Sequence, residues 1–231
     1  MSEQTISQQC DQILARLHAL ASSELAASYA RYGIHSANPL GISMPDLRRV
    51  AKDYRDHNLA LALWESAVYE ARLLASLIDD PRQVNLSQME AWVIDFDSWG
   101  ICDQVCMNLF ARTSLVVDRA IAWSQRREEY VRRAGLVLMA VLPIHAKKLP
   151  DETYSPFFPL MLECAVDERL YVRKAVSWAL RQIGKRRPAL YDIAVETAQQ
   201  IARLNTPSAR WIASDVLREL LSFRRRNERC V

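Results

Sequence analysis

The sequence predicts an all-α protein built as a helical-repeat solenoid, and three observations carry that expectation. Apolar residues keep the 3.6-residue period of amphipathic helices along the chain, in runs too long for strands. Only 5 glycines occur in 231 residues, few for a chain of hairpins and turns. A helical segment led by tyrosine returns at intervals, which marks one supersecondary unit used more than once.

The first helical stretch runs from Thr5 to about Tyr32, with Ile6, Cys10, Ile13, Leu14, Leu17 and Leu20 at helical spacing. It reads as two helices or as one broken near Ser22-Ser23. Gly33 ends it, and Asn38-Pro39-Leu40-Gly41 forms a loop. Ser43 can cap the next helix, Pro45 suits its first turn, and Asp46 complements the positive end of its dipole. That helix is expected to reach about His57. Two more follow, near Ala60 to Ser66 and Val68 to Leu77, before the Asp79-Asp80-Pro81 break. Ser87 to Phe96, Ser98 to Arg112, Ser114 to Ser124 and Glu128 to Ile144 are expected next, and Pro150 closes the connection. Asp151 caps a segment that Pro156 and Pro159 break or bend. Asp167 to Lys185, Pro188 to Leu204 and Pro207 to Ser222 complete the set.

Tyr69, Tyr130 and Tyr171 each open a helix and are followed three residues later by Arg72, Arg133 and Lys174. Tyr130 and Tyr171 are 41 residues apart; Tyr69 precedes Tyr130 by 61, with the Trp99 helix between. A paired-helix unit of roughly 40 residues is the signature of HEAT-like solenoids. Stacked units of this kind curve, so their inner helices line one concave surface. The helices bearing Trp99, Arg133 and Trp178 are then successive inner helices of a single 1–231 domain, with the last ~8 residues as a tail.

Half of the residues are hydrophobic, enough for a sizeable core. The net charge of +3 is weakly basic, so a nucleic-acid surface has to come from local placement. Cys102 and Cys106 lie one helical turn apart, but no nearby histidine or further cysteine completes a tetrahedral metal set. Reduced thiols in a cytoplasmic protein are expected. The start lacks the basic and apolar regions of a signal peptide, and no run of eighteen apolar residues offers a membrane span. There is no glycine-rich phosphate loop and no metal motif, and His18, His35, His57 and His145 are scattered without a nucleophile partner. Neither metal nor cofactor is expected.

Trp99 and Asp103 share one helix face, about 6 Å apart along the axis. Such a pair serves either as a core anchor with a capping carboxylate or as a grip for developing positive charge. Cations gather where the repeat predicts the concave face: Arg48, Arg132, Arg133, Arg173, Lys174, Arg181, Lys185 and Arg210. They suit a phosphate backbone, although solvated helix faces also account for many of them. Aromatic faces, one central carboxylate and surrounding cations suit a reaction that passes through a cation and is attacked by water. Glycosidic cleavage through an oxocarbenium ion is one.

At these residues the chain resembles the AlkD-type DNA alkylation repair family, the HEAT-like-repeat DNA glycosylases. Leu40-Gly41-Ile42-Ser43-Met44-Pro45 is similar to its Leu-Gly-x-x-x-Pro signature. Trp99 and Asp103 match its Trp-x-x-x-Asp helix, and Tyr130-Val131-Arg132-Arg133 its arginine helix. Lys174-Ala175-Val176-Ser177-Trp178-Ala179-Leu180-Arg181 looks like its Lys-Ala-x-x-Trp-x-Leu-Arg motif. The resemblance implies excision of N3- or N7-alkylated purines from duplex DNA without metal or cofactor. It implies that Asp103 stabilises the oxocarbenium and positions water, that Trp99 and Trp178 pack on the deoxyribose, and that Arg133 holds a phosphate. It further implies a monomer acting in the bacterial cytoplasm, on the nucleoid when bound to DNA. Ser98 and Gly100 depart from relatives that carry an aromatic residue or Asp there. Two other readings stand beside the glycosylase: a non-catalytic binder of DNA structures, and a protein-interaction scaffold.

Overall fold

The computed structural model describes residues 5–36 and 38–228. Among them there is no strand, and the helices are α1 (Ile6–Ala19), α2 (Ser23–Tyr29), α3 (Met44–Ala51), α4 (His57–Glu65), α5 (Tyr69–Ile78), α6 (Leu86–Ile94), α7 (Trp99–Asn108), α8 (Val116–Ser124), α9 (Glu129–His145), α10 (Phe157–Cys164), α11 (Leu170–Arg186), α12 (Tyr191–Arg203) and α13 (Pro207–Glu228). The chain divides after Thr113 into two compact units.

Side-chain caps start α1, α2, α3, α4 and α6. The N-terminal stretch is two helices because Ser22 starts the second, its Oγ accepting from the Leu25 amide at 3.2 Å. The helix opened by Ser43 stops at Ala51 rather than near His57. Asp56 starts a new one there, its Oδ1 accepting from the Leu59 amide at 2.8 Å. The stretch expected from Ser98 to Arg112 is also divided: Leu109 leaves helical geometry (φ −122°, ψ −64°) and a 3-10 turn follows. Pro156 separates the turn Asp151–Tyr154 from α10, whereas Pro159 is tolerated in the first turn of α10, where no intrahelical donor is lost. α13 continues through Glu228; the rest of the expected tail, residues 229–231, lies outside the described residues.

In the first unit, α3 and α7 pack on α5, and α1 on α4. The core centres on Trp64 and Trp92, stacked at 3.9 Å, with Phe96 and Phe110 beside them. The Trp64 indole donates to Asp95 at 2.8 Å, and Arg72 lies over the Trp64 ring while pairing with Asp95, so the polar edge of the stack is satisfied. Glu70 of α5 is fully buried. Its carboxylate accepts from the amides of Leu40 (2.8 Å), Gly41 (2.7 Å) and Ile42 (3.2 Å) and from the Tyr29 hydroxyl (3.0 Å). Four donors on one acceptor offset its desolvation and hold the Leu-Gly signature loop against α5. Gly41 is required there: its φ is +74°, and a Cβ would lie 2.2 Å from the Ser22 carbonyl oxygen.

The second unit shows the repeat directly. α9 packs on α11 and α11 on α13, while α8, α10 and α12 form the other layer. Hydrogen bonds recur at one-repeat separations. Cys164 Sγ donates to Ser124 O across 40 residues, Arg133 Nη1 to Tyr171 O across 38, Ser177 Oγ to Asp215 Oδ2 across 38, and the Ser208 amide to Glu168 across 40. Equivalent positions of successive helix pairs are neighbours only when the pairs stack in register, as a solenoid requires.

Candidate nucleic-acid interface

Trp99 is the first residue of α7, and Asp103 follows one turn later in the same unit. Ser98 opens the helix in extended geometry (φ −152°, ψ 161°). Trp99 is half-buried, and its indole N–H donates to the Tyr32 carbonyl at 2.8 Å, which anchors one edge of the ring. Asp103 is 8% exposed. A carboxylate so nearly withdrawn from water acts on neighbouring charge more strongly than a surface one. Tyr69 of α5 feels that field: burial, then Glu70, with Asp97 and Asp103 adding to it, hold its phenol above the ordinary range.

The small residues at 98 and 100 have a structural cause. A Cβ on Gly100 would stand 2.4 Å from the Tyr69 hydroxyl and 3.1 Å from Ile34 Cδ1. Tyr69 therefore fills the space beside α7, and Ser98 next to it is fully buried. Elsewhere in this unit, Arg48 of α3 is exposed. A cleft at the C-terminal ends of α3, α5 and α7 is lined by Lys52, Arg55, Arg82 and Arg112 with Asp79 and Asp80. Its cations complement helix C-termini, Arg82 pairs with Asp80, and Asp79 faces His57 at 2.7 Å.

The remaining expected residues belong to the second unit. Trp178 is half-buried on α11. Arg133 of α9 departs from expectation: it is 5% exposed, donates to the Tyr171 carbonyl at 2.5 Å, and lies over the Tyr171 ring. A guanidinium so placed braces α9 against α11 and has little surface left for a phosphate. Three other expected DNA contacts are engaged in ion pairs. Arg132 binds Asp167 at 2.8 Å and the Arg126 carbonyl at 2.7 Å, and Arg181 and Lys185 both bind Glu219. Burial pushes the Glu219 carboxyl up, and the two cations more than reverse this, leaving it below the ordinary range. Arg210 is exposed and donates to Asn205 at 2.9 Å. Arg173 lies over the Trp211 ring, and Lys174 is exposed.

Two residues outside the expected set matter to it. Tyr69 is visible in the sequence as a repeat marker, but only packing puts it beside Asp103. Trp211, in the first turns of α13, lies against Arg173 of α11 although no sequence motif marks it. Among the described residues no group of three or more His, Cys, Asp or Glu side chains is placed to hold a metal ion, and no helix is long and apolar enough to cross a membrane.

A family model described as DNA alkylation repair enzyme matches residues 13–211. No curated protein matches the sequence. Among solved structures the chain is similar to one with a TM-score of 0.75 and 19% identity, over 91% of this chain and 95% of that one. That protein is described as one of a new family related to the HEAT-like repeat DNA glycosylases with affinity for branched DNA structures.

Proposed function

Because the chain belongs to the family of DNA alkylation repair enzymes, we propose that it is a DNA glycosylase for cationic N3- and N7-alkylpurines, with Asp103 as its catalytic carboxylate. The observation that carries this reading is a nearly buried carboxylate one helical turn from a half-buried indole, Asp103 and Trp99 of α7. Alkylation leaves the purine positively charged, so it departs as a neutral base with the electron pair of the C1′–N bond. The sugar is left as an oxocarbenium ion, which the Asp103 carboxylate stabilises. Water then adds to C1′ and its proton passes to Asp103, giving the free base and an abasic site. Trp99 offers a ring face that attracts the cationic sugar.

Magnitudes rank these roles. A carboxylate about 4 Å from a unit charge contributes on the order of 4 kcal/mol at an effective dielectric of 20. An indole contributes roughly 0.5–2 kcal/mol. Each 1.36 kcal/mol is about tenfold in rate, so Asp103 dominates. Release of N7-methylguanine from methylated duplex DNA tests the assignment. Wild type is expected to release the base, and Asp103→Asn to release it roughly a thousandfold more slowly while still binding DNA. If wild type releases no more than buffer does, the glycosylase reading fails.

A second reading is favoured by the description of the similar structure: a non-catalytic binder of branched DNA using the same fold. Under it Asp103→Asn improves DNA affinity, by removing a negative charge, and changes no chemistry.

A further inference from the structure

In the second unit three rings lie near the N-terminal ends of alternate helices: Tyr130 and Tyr171 are the second residues of α9 and α11, and Trp211 is the fifth of α13. Each later ring carries an arginine from the preceding repeat: Arg133 Cζ lies 5.9 Å from the Tyr171 ring centroid, and Arg173 Cζ 5.3 Å from that of Trp211. The Tyr130 and Tyr171 rings are themselves 6.0 Å apart. The two arginine rungs differ. Arg133 is buried and donates to the Tyr171 backbone. Arg173 is half-exposed, its buried Nε has no hydrogen-bond partner among the described residues, and its ring partner Trp211 is 38% exposed.

An open indole backed by a guanidinium offers a stacking face beside a positive charge, which suits a flat ligand with a phosphate attached. The surrounding charge agrees. Segments 126–133, 167–174 and 207–211 hold eight Arg and Lys against four Asp and Glu. Of those carboxylates, Asp167 is engaged by Arg132 and Arg169, Glu128 by Arg126, and Glu168 accepts from the Ser208 amide. The exposed cations Lys174 and Arg210 adjoin Arg173 and Trp211 in sequence. A base inside a perfect duplex is covered on both faces by its neighbours, so only an unpaired one can stack on a protein ring.

We propose that Trp211, backed by Arg173, is a stacking site for an unpaired nucleobase of DNA, with Lys174 and Arg210 taking its flanking phosphates. The site rests on the DNA-binding reading above and adds a preference that Asp103 does not supply. It favours DNA with a displaced or unpaired nucleotide over perfect duplex.

Fluorescence anisotropy on a perfect duplex and on the same duplex with an unpaired bulge tests it. Base–aromatic stacking at 1–3 kcal/mol per base predicts that wild type binds the bulged DNA about tenfold tighter. Trp211→Ala is expected to abolish that preference while leaving perfect-duplex affinity within about twofold, and Trp211→Phe to restore it. Arg173→Gln keeps the ring and removes the cation, so it reads the site independently of the truncation; about a threefold loss of preference is expected. The proposal is overturned if wild type binds both DNAs equally, or if Trp211→Ala or Arg173→Gln, folded by circular dichroism, keeps the full preference. Binding to neither DNA by wild type overturns the DNA-binding reading itself, and this site with it.

Discussion

Gly100 and Tyr69 share one small volume beside the candidate catalytic carboxylate. With the Tyr69 hydroxyl 2.4 Å from the position a Cβ would take, Gly100→Ala forces the phenol or α7 to shift. Overpacking of this kind costs about 1–3 kcal/mol. Tyr69→Phe removes the clashing oxygen, so the double variant is expected to be more stable than the sum of the two single losses. Urea denaturation of the four proteins measures the coupling, and strict additivity would show that the two positions do not meet. The sequence presents Ser98 and Gly100 only as missing side chains. Their smallness has a cause that lies thirty residues upstream, on another helix.

The connection entering α11 is held by a charge cluster with a defined pH response. Asp167 accepts from Arg132 at 2.8 Å, from Arg169 Nε at 2.9 Å and from the Arg169 amide at 3.1 Å. Burial pushes its carboxyl up, but Arg169 and Arg132 more than reverse this, and its folded value lies below the ordinary one. A depressed folded value means that the contribution to stability is complete above the unfolded value of about 3.9 and disappears as pH falls through the folded one. Asp167→Asn is therefore expected to lower the urea midpoint near neutral pH. Its deficit against wild type should shrink below about pH 4 as the wild-type carboxylate protonates. A deficit that stays constant down to about pH 3 would rule out the ionic account. Element identity was largely legible here, because Asp, Pro and Ser at the ends of apolar periods are local signals. The break between α3 and α4 falls earlier than the sequence suggests, because residues 52–56 leave the helix and Asp56 caps the Leu59 amide.

At the scale of the whole molecule, the question is which of 30 basic residues remain available to a polyanion. Charge placement in the sequence marks Arg132, Arg181 and Lys185 no differently from Lys174 and Arg48. The structure divides them: the first three are engaged by Asp167 and Glu219, and the last two are exposed. Counterion release then predicts different behaviour on DNA. Lys174→Gln should reduce the slope of log affinity against log salt by about 0.9 and leave thermal stability unchanged. Arg181→Gln should leave the slope unchanged and lower the melting temperature, since it strands Glu219 with a single partner. If Arg181→Gln flattens the salt dependence as much as Lys174→Gln does, the division is wrong.

Helix periodicity, caps and the spacing of Tyr130 and Tyr171 were sufficient for the all-α class and the HEAT-like repeat, because these depend on residues near one another or on a regular period. The family followed from short motifs in order, Leu40-Gly41, Trp99 with Asp103, and Lys174 to Arg181. Pairing across helices was beyond reach. That Glu70 holds the Leu-Gly loop, that Arg133 is a buried brace, and that Arg173 backs an open Trp211 all follow from side chains 28 to 41 residues apart meeting in space. Burial and ion pairing are properties of such meetings, and they determine whether a charged residue holds the fold together or faces a ligand.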